Sequence, residues 1–154
     1  MKWIGVLVAF ATMGVPAQGQ DVPAGPVAVA DHIALNVADA DVSAAFYMRA
    51  FGSRDVPTKL PNTRWVTLGN SLTLHLIGGR TAPVSSNRIV HFALRTDDLS
   101  QSIAYFDAAG IAWSDFTGKA RTIQTRFDGV RQIFVQDPDG YWVEISDTRG
   151  SPAQ

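Results

Sequence analysis

The chain holds three histidines, His32, His75 and His91, and one glutamate, Glu144, against thirteen aspartates. Each of the four sits in a stretch where apolar and polar residues alternate, on the side opposite the aliphatic row: His32 against Ile33 and Leu35, His75 against Leu74 and Leu76, His91 against Phe92 and Leu94, Glu144 against Val143 and Ile145. Imidazole nitrogens with one carboxylate suit a divalent first-row metal. Two histidines and a carboxylate suit iron(II) or manganese, and a third histidine also suits zinc, nickel or copper. Cysteine is absent, so any metal must be held by nitrogen and oxygen. Taken singly, each residue has a plainer explanation. A strand histidine is commonly a hydrogen-bonded core or surface residue, Glu144 a solvated side chain, Arg95 a partner for some carboxylate, and Trp142 a packing residue. Four such places related by an internal repeat are harder to explain that way.

The repeat has an offset of 59. Placing His91 over His32 aligns Ala93 with Ala34, Leu94 with Leu35, Asp98 with Asp39, Ser102 with Ser43, Ala104 with Ala45, and Tyr105-Phe106 with Phe46-Tyr47. One strand-then-helix unit is therefore used twice, each copy opening on a histidine. In the first copy the alternation predicts a strand over 29–37. Asp39 or Asp41 caps a helix with Val42, Phe46, Tyr47, Ala50 and Phe51 on its packed side, and Gly52 ends it. Strands follow over 54–57, 64–68 and 72–77, the last two joined by Gly69-Asn70. After a Gly/Pro/Ser-rich linker over 78–87, the second copy predicts a strand over 90–96. Its helix is capped by Asp98 with Gln101 and packed through Leu99, Ile103, Phe106 and Gly110. A strand over 111–116, a polar stretch over 117–130 and strands over 131–136 and 141–146 complete it, with Asp137-Pro-Asp-Gly140 as the last turn. Each sheet buries its aliphatic face on its own helix. The opposite faces, with His32, Asn36, His75, His91, Arg95, Trp142 and Glu144, are left to curl around a common space.

Composition sets the outer limits. The 154 residues are 46% hydrophobic, enough for one domain with a core. Thirteen basic and fourteen acidic residues give a charge of −1, with no basic cluster to serve nucleic acid or an anionic membrane surface. Residues 1–20 read as a secretory signal peptide: Lys2, an apolar run from Trp3 to Val15 too short to span a bilayer, then small residues around Pro16 to Gly19. Residues 21–28 read as a flexible leader, 29–148 as the folded domain (modules about 29–78 and 88–148), and 149–154 as a disordered tail. The expected location is exported, periplasmic or secreted, with no membrane association after cleavage.

His32-Ile-Ala-Leu-Asn-Val, Ala45-Phe-Tyr, Phe51-Gly52 and Gln136-Asp-Pro-Asp-Gly-Tyr-Trp-Val-Glu144-Ile together resemble the vicinal oxygen chelate superfamily, which includes glyoxalase I, fosfomycin resistance thiol transferases, extradiol dioxygenases and bleomycin resistance proteins. The resemblance implies an α+β fold of two paired βαβββ modules, forming an open, curved mixed β-sheet barrel around a divalent metal (Zn, Ni, Mn or Fe(II)), with the helices outside. It also implies that the modules either close one barrel within a chain or pair across a homodimer. His32, His91 and Glu144 match its ligand positions, and His75 the fourth, which is a glutamate in glyoxalase I. By the same resemblance Glu144 is the leading candidate for proton transfer, with His75 as fourth ligand or base. Arg95, Asn36 and Trp142 are substrate-side candidates. The expected activity is that of a glyoxalase-like lyase or isomerase on a small metal-chelating oxygenated substrate. The alternatives are an extradiol dioxygenase-like or thiol transferase-like metalloenzyme, in which His32, His91 and Glu144 alone bind the metal, and a metal-free protein that sequesters a ligand.

Overall fold

A computed structural model describes residues 29–69, 72–85 and 87–147; the expected signal peptide, leader and tail lie outside these. The first module runs β1 (His32–Asn36), α1 (Ala40–Phe51), β2 (Asp55–Val56), β3 (Thr63–Leu68) and β4 (Leu72–Ile77). The second runs β5 (His91–Thr96), α2 (Leu99–Ala109), β6 (Trp113–Ser114), β7 (Gln124–Thr125), β8 (Arg131–Gln136) and β9 (Trp142–Asp147). Each module forms a mixed sheet. The order is β1-β4-β3-β2 in the first and β5-β9-β8-β6 in the second, with β7 added to β8. In both, the opening strand lies parallel to the closing one, β1 to β4 and β5 to β9, while the other pairs are antiparallel. The two sheets are curved and do not close into a barrel.

Local chemistry accounts for the helix limits. Asp39 accepts from the backbone N–H of Asp41 and Val42, and Asp98 accepts from that of Gln101, so each helix has a side-chain N-cap. Gly52 and Gly110 end them in the left-handed region, at φ 65° and 67°. The packed side of α1 includes the expected Phe46, Tyr47, Ala50 and Phe51 and departs from expectation at Val42. Ala40, Ser43, Ala44, Tyr47 and Ala50 are buried, while Val42 is 53% exposed. Small residues let the helix approach β3 and β4 closely, and that leaves Val42 on the outer side. The strand expected over 111–116 shrinks to Trp113–Ser114 because the Asp115 carboxylate accepts from Thr117 Oγ1 and the Lys119 N–H and pulls the chain into a turn. Part of the polar stretch that follows returns to the sheet as β7.

One core serves both modules. Leu35, Tyr47, Leu74 and Leu76 of the first join Leu99, Phe106, Ile133, Val143 and Ile145 of the second in a continuous buried cluster. Tyr47 stands 6.4 Å from Phe92, and Phe51 6.1 Å from Phe106. The modules thus meet through their helix-bearing faces. The other faces carry His32, Ala34 and Asn36 on β1 and His91, Ala93 and Arg95 on β5, all exposed.

Candidate metal centre

The first histidine pair is set by strand register. His75 on β4 lies opposite Ala34 of β1 on one side and Trp65 of β3 on the other. Its imidazole is sandwiched, 4.1 Å from the Trp65 ring at 6° and 4.2 Å from the His32 ring at 11°. Desolvation between these rings, and then the nearby His32, push the pKa of His75 below its ordinary 6.5, which favours the neutral form a ligand or base requires. His32 Nδ1 lies 2.7 Å from Asp31 Oδ2. With the proton held on Nδ1 by that carboxylate, Nε2 keeps its lone pair.

The second pair comes from adjacent parallel strands, where Ala93 is level with Glu144 and His91 with Trp142. His91 Nδ1 is 2.6 Å from the Arg88 carbonyl oxygen, and its Nε2 is 3.3 Å from Glu144 Oε2. A carbonyl can only accept, so Nδ1 carries a proton, and in the neutral tautomer the Nε2 lone pair faces the carboxylate. Two acceptors aimed at one another are relieved by a second proton on the imidazole or by a cation shared between them. Ligands about 2.0–2.1 Å from a zinc-sized ion at near-tetrahedral angles stand roughly 3.3 Å apart, so the observed spacing fits the cation. The Glu144 side chain is only 8% exposed. Arg126 Nη1 lies 3.7 Å from its Oε1, and Gln132, with its amide nitrogen turned inward, donates to both carboxylate oxygens at 3.3 Å. Phe134 closes the site with its ring edge-on to His91 at 5.3 Å.

The four expected ligands therefore fall into two pairs, one on each sheet. Among the described residues no group of three or more His, Asp or Glu comes together to hold a metal. The donor types suit a nitrogen-and-oxygen coordination shell, and the His91–Glu144 spacing fits two ligands of one ion, whereas His32 and His75, stacked face to face at 11°, direct their in-plane lone pairs side by side and not at a common point.

Asn36 and Arg95 lie four residues along β1 and β5 from His32 and His91, about 13 Å at strand spacing. The Asn36 carbonyl accepts from Tyr141 Oη, and Arg95 lines a cleft with Phe51 and Tyr105. Trp142 stacks with Arg88, whose guanidinium carbon is 3.8 Å from the ring centre. Trp65 and Gln132 were not anticipated. The hairpin between β3 and β4 was a signal for Trp65, but a two-residue turn at 69–70 would pair Leu68 with Ser71 and set Trp65 level with Leu74, whereas the structure pairs Leu68 with Leu72 and Trp65 with His75. Gln132 carried no such signal, because its approach to Glu144 depends on the side chain crossing to the neighbouring strand.

Residues 29–145 match the Glyoxalase/Bleomycin resistance protein/Dioxygenase superfamily. The chain belongs to this superfamily, whose members generally use divalent metals and commonly dimerise and bind small molecules. An uncharacterised Bacillus subtilis protein, YwbC, is 24% identical over 124 residues, spanning 75% of this chain and 94% of that protein. Among solved structures, lactoylglutathione lyase from Agrobacterium tumefaciens shares 24% identity at a TM-score of 0.58, covering 80% of this chain and 95% of that one. The fosfomycin resistance protein FosX from Listeria monocytogenes shares 18% at 0.62, covering 79% and 94%. Oxidase ChaP-H2 shares 17% at 0.62, covering 84% and 100%. Likeness at this level speaks for the fold.

Proposed function

We propose that the protein is an exported, divalent-metal-dependent lyase or isomerase of the glyoxalase type, acting on a small substrate that chelates the metal through adjacent oxygens. Each complete site would join His32 and His75 of one copy to His91 and Glu144 of another. The observation that carries the reading is the His91–Glu144 pair, in which the Arg88 carbonyl occupies Nδ1 and leaves Nε2 facing a buried carboxylate 3.3 Å away. When bound, the metal would polarise a substrate carbonyl and make the neighbouring C–H bond more acidic. The chain's own residues do the rest. Glu144 takes the proton and returns it, with Gln132 and Arg126 holding its carboxylate in place. His75, kept neutral between two rings, is the fourth ligand or a second base. Phe134 limits the approach of water.

The test is elemental analysis of purified protein offered zinc, nickel, manganese and, anaerobically, iron(II). About one metal per chain is expected, with loss in His91→Ala. No stoichiometric metal under any of these conditions would favour the reading as a ligand-sequestering protein. Stable binding of iron(II) or manganese that survives His75→Ala would favour the dioxygenase or thiol-transferase reading, since His32, His91 and Glu144 are sufficient for two histidines and a carboxylate. Export is supported by the pattern of Lys2, the apolar run and the small residues before Gln20. The mass of the protein recovered from the producing cell's envelope or medium is expected to correspond to a start near Gly19 or Gln20, and an intact Met1 species alone would overturn it.

A further inference from the structure

Arg88 has surroundings that the metal reading leaves unexplained. It is partly buried in the linker before β5, with its guanidinium carbon over the Trp142 ring at 3.8 Å from the ring centre. Its Nη2 donates to Ser114 Oγ at 3.3 Å. The backbone at Gly118, at φ +94°, passes so close that a Cβ there would come within 3.2 Å of Nη1. The guanidinium is therefore fixed in pose by an aromatic face, a hydroxyl and a glycine. Its Nε is buried without a hydrogen-bond partner, and among the described residues no carboxylate pairs with it. A buried cation with an unused donor is costly unless something supplies the counter-charge.

A pocket of about 470 Å³ lies against it, lined also by Arg49, Ser114, Phe134 and Trp142. Asp137 borders the same pocket, but its oxygens already accept from Tyr47 Oη and from the N–H groups of Asp139 and Tyr141. Two arginines thus face this space without a competing free carboxylate. The pocket adjoins the second metal pair: the Arg88 carbonyl holds His91, and Phe134 touches His91 while lining the pocket. Trp142 lies two residues from Glu144 along β9, about 7 Å at strand spacing.

We propose that Arg88, seated on Trp142 and aided by Arg49, is an oxyanion subsite that binds the carboxylate, phosphate or phosphonate end of the small molecule handled beside it. That one molecule spans both places rests on the metal-chelating reading above; the subsite itself does not. The planar fork of a guanidinium suits such a group better than a lysine ammonium does, because it offers two parallel donors.

The test uses the full mature protein, kept metal-free with chelator, titrated calorimetrically with inorganic phosphate, succinate and the neutral analogue succinamide. Saturable binding of one or both anions, with none of the amide, is expected, and whichever anion binds identifies the class of terminal group. Arg88→Gln should weaken it by about tenfold or more, the loss of a charge-assisted pair, and Arg88→Lys severalfold. Arg54→Gln, the same charge change at an exposed site in the other module, should leave it within twofold. Ser114→Ala, which removes only the hydroxyl, should weaken binding in the same sense and serves as the second variant if Arg88→Gln melts early. No saturable anion binding, or equal binding by wild type and both Arg88 variants, would overturn the proposal. Failure of the protein to bind metal leaves this experiment unaffected, so the two readings fail separately.

Discussion

Asp31 is the residue on which the lone pair of His32 depends, because its carboxylate fixes the proton on Nδ1 from 2.7 Å away. Groups in this position orient a ligand without touching the metal, and their loss typically lowers affinity 10–100-fold. Asp31 is 90% exposed on its side chain, so water can partly replace it and the low end of that range is expected. Asp31→Asn should weaken metal binding roughly tenfold, read by competition with a chromophoric chelator, whereas a change below twofold would mean that Asp31 does not orient His32. The contrast with His91 is instructive. There the Nδ1 acceptor is a backbone carbonyl, which no side-chain substitution removes.

At the scale of elements, the β8–β9 turn is what joins the modules. Asp139 accepts from the Ala38 N–H at 2.6 Å, Ser43 Oγ at 2.6 Å and Arg80 Nη2 at 2.7 Å, while Asp137 accepts from Tyr47 Oη at 2.8 Å. The repeat explains this asymmetry. Phe106 occupies the buried helix position in the second module that Tyr47 occupies in the first, and only the tyrosine brings a hydroxyl that must be satisfied. Burial, then the Asp137 charge and hydrogen bond, push the Tyr47 hydroxyl far above its ordinary value, so it stays a donor. Tyr47→Phe leaves Asp137 short of a partner and should cost about 1–3 kcal/mol, seen as a lower midpoint in urea. The two aspartates respond to pH in opposite senses. Burial raises the Asp137 carboxyl, so its contribution to stability is present at low pH and lost as pH rises through its folded pKa. Burial also pulls Asp139 upward, but Ser43, Arg80 and the Ala38 N–H outweigh it and hold Asp139 below 3.8. Its contribution is present above that value and lost as pH falls through the depressed pKa. Asp139→Asn should therefore flatten the acid limb of stability against pH below about 4, and an unchanged acid limb would contradict this account of the turn. The N-cap of α1 is a simpler case: Asp39→Ala should cost about 1 kcal/mol, with a lower melting temperature.

At the scale of the whole molecule, the modules share one core through their helix faces, so the two pairs of expected ligands lie on separate sheet faces, and the proposed function has a second copy join them. Symmetry makes this testable. In a two-fold dimer with shared sites, a His32→Ala chain paired with a Glu144→Gln chain carries both lesions in one site and none in the other. Mixing the two dissociated variants should then restore roughly a quarter of the wild-type metal content, and no recovery would place all four ligands within one chain. Much of this was legible beforehand. Alternation set which strand face each histidine occupies, the offset of 59 exposed the duplicated unit, and capping aspartates and terminal glycines marked the helices, because these signals arise from contacts between residues close in the chain. What only the tertiary structure decided was longer in range: the Arg88 guanidinium over Trp142, the Gln132 amide at Glu144, the lock between the β8–β9 turn and α1, and the parting of the four expected ligands into two pairs. Periodicity specifies which face of a strand is polar, but which surface that face meets depends on how two modules pack, and that is set by the shape of their shared core.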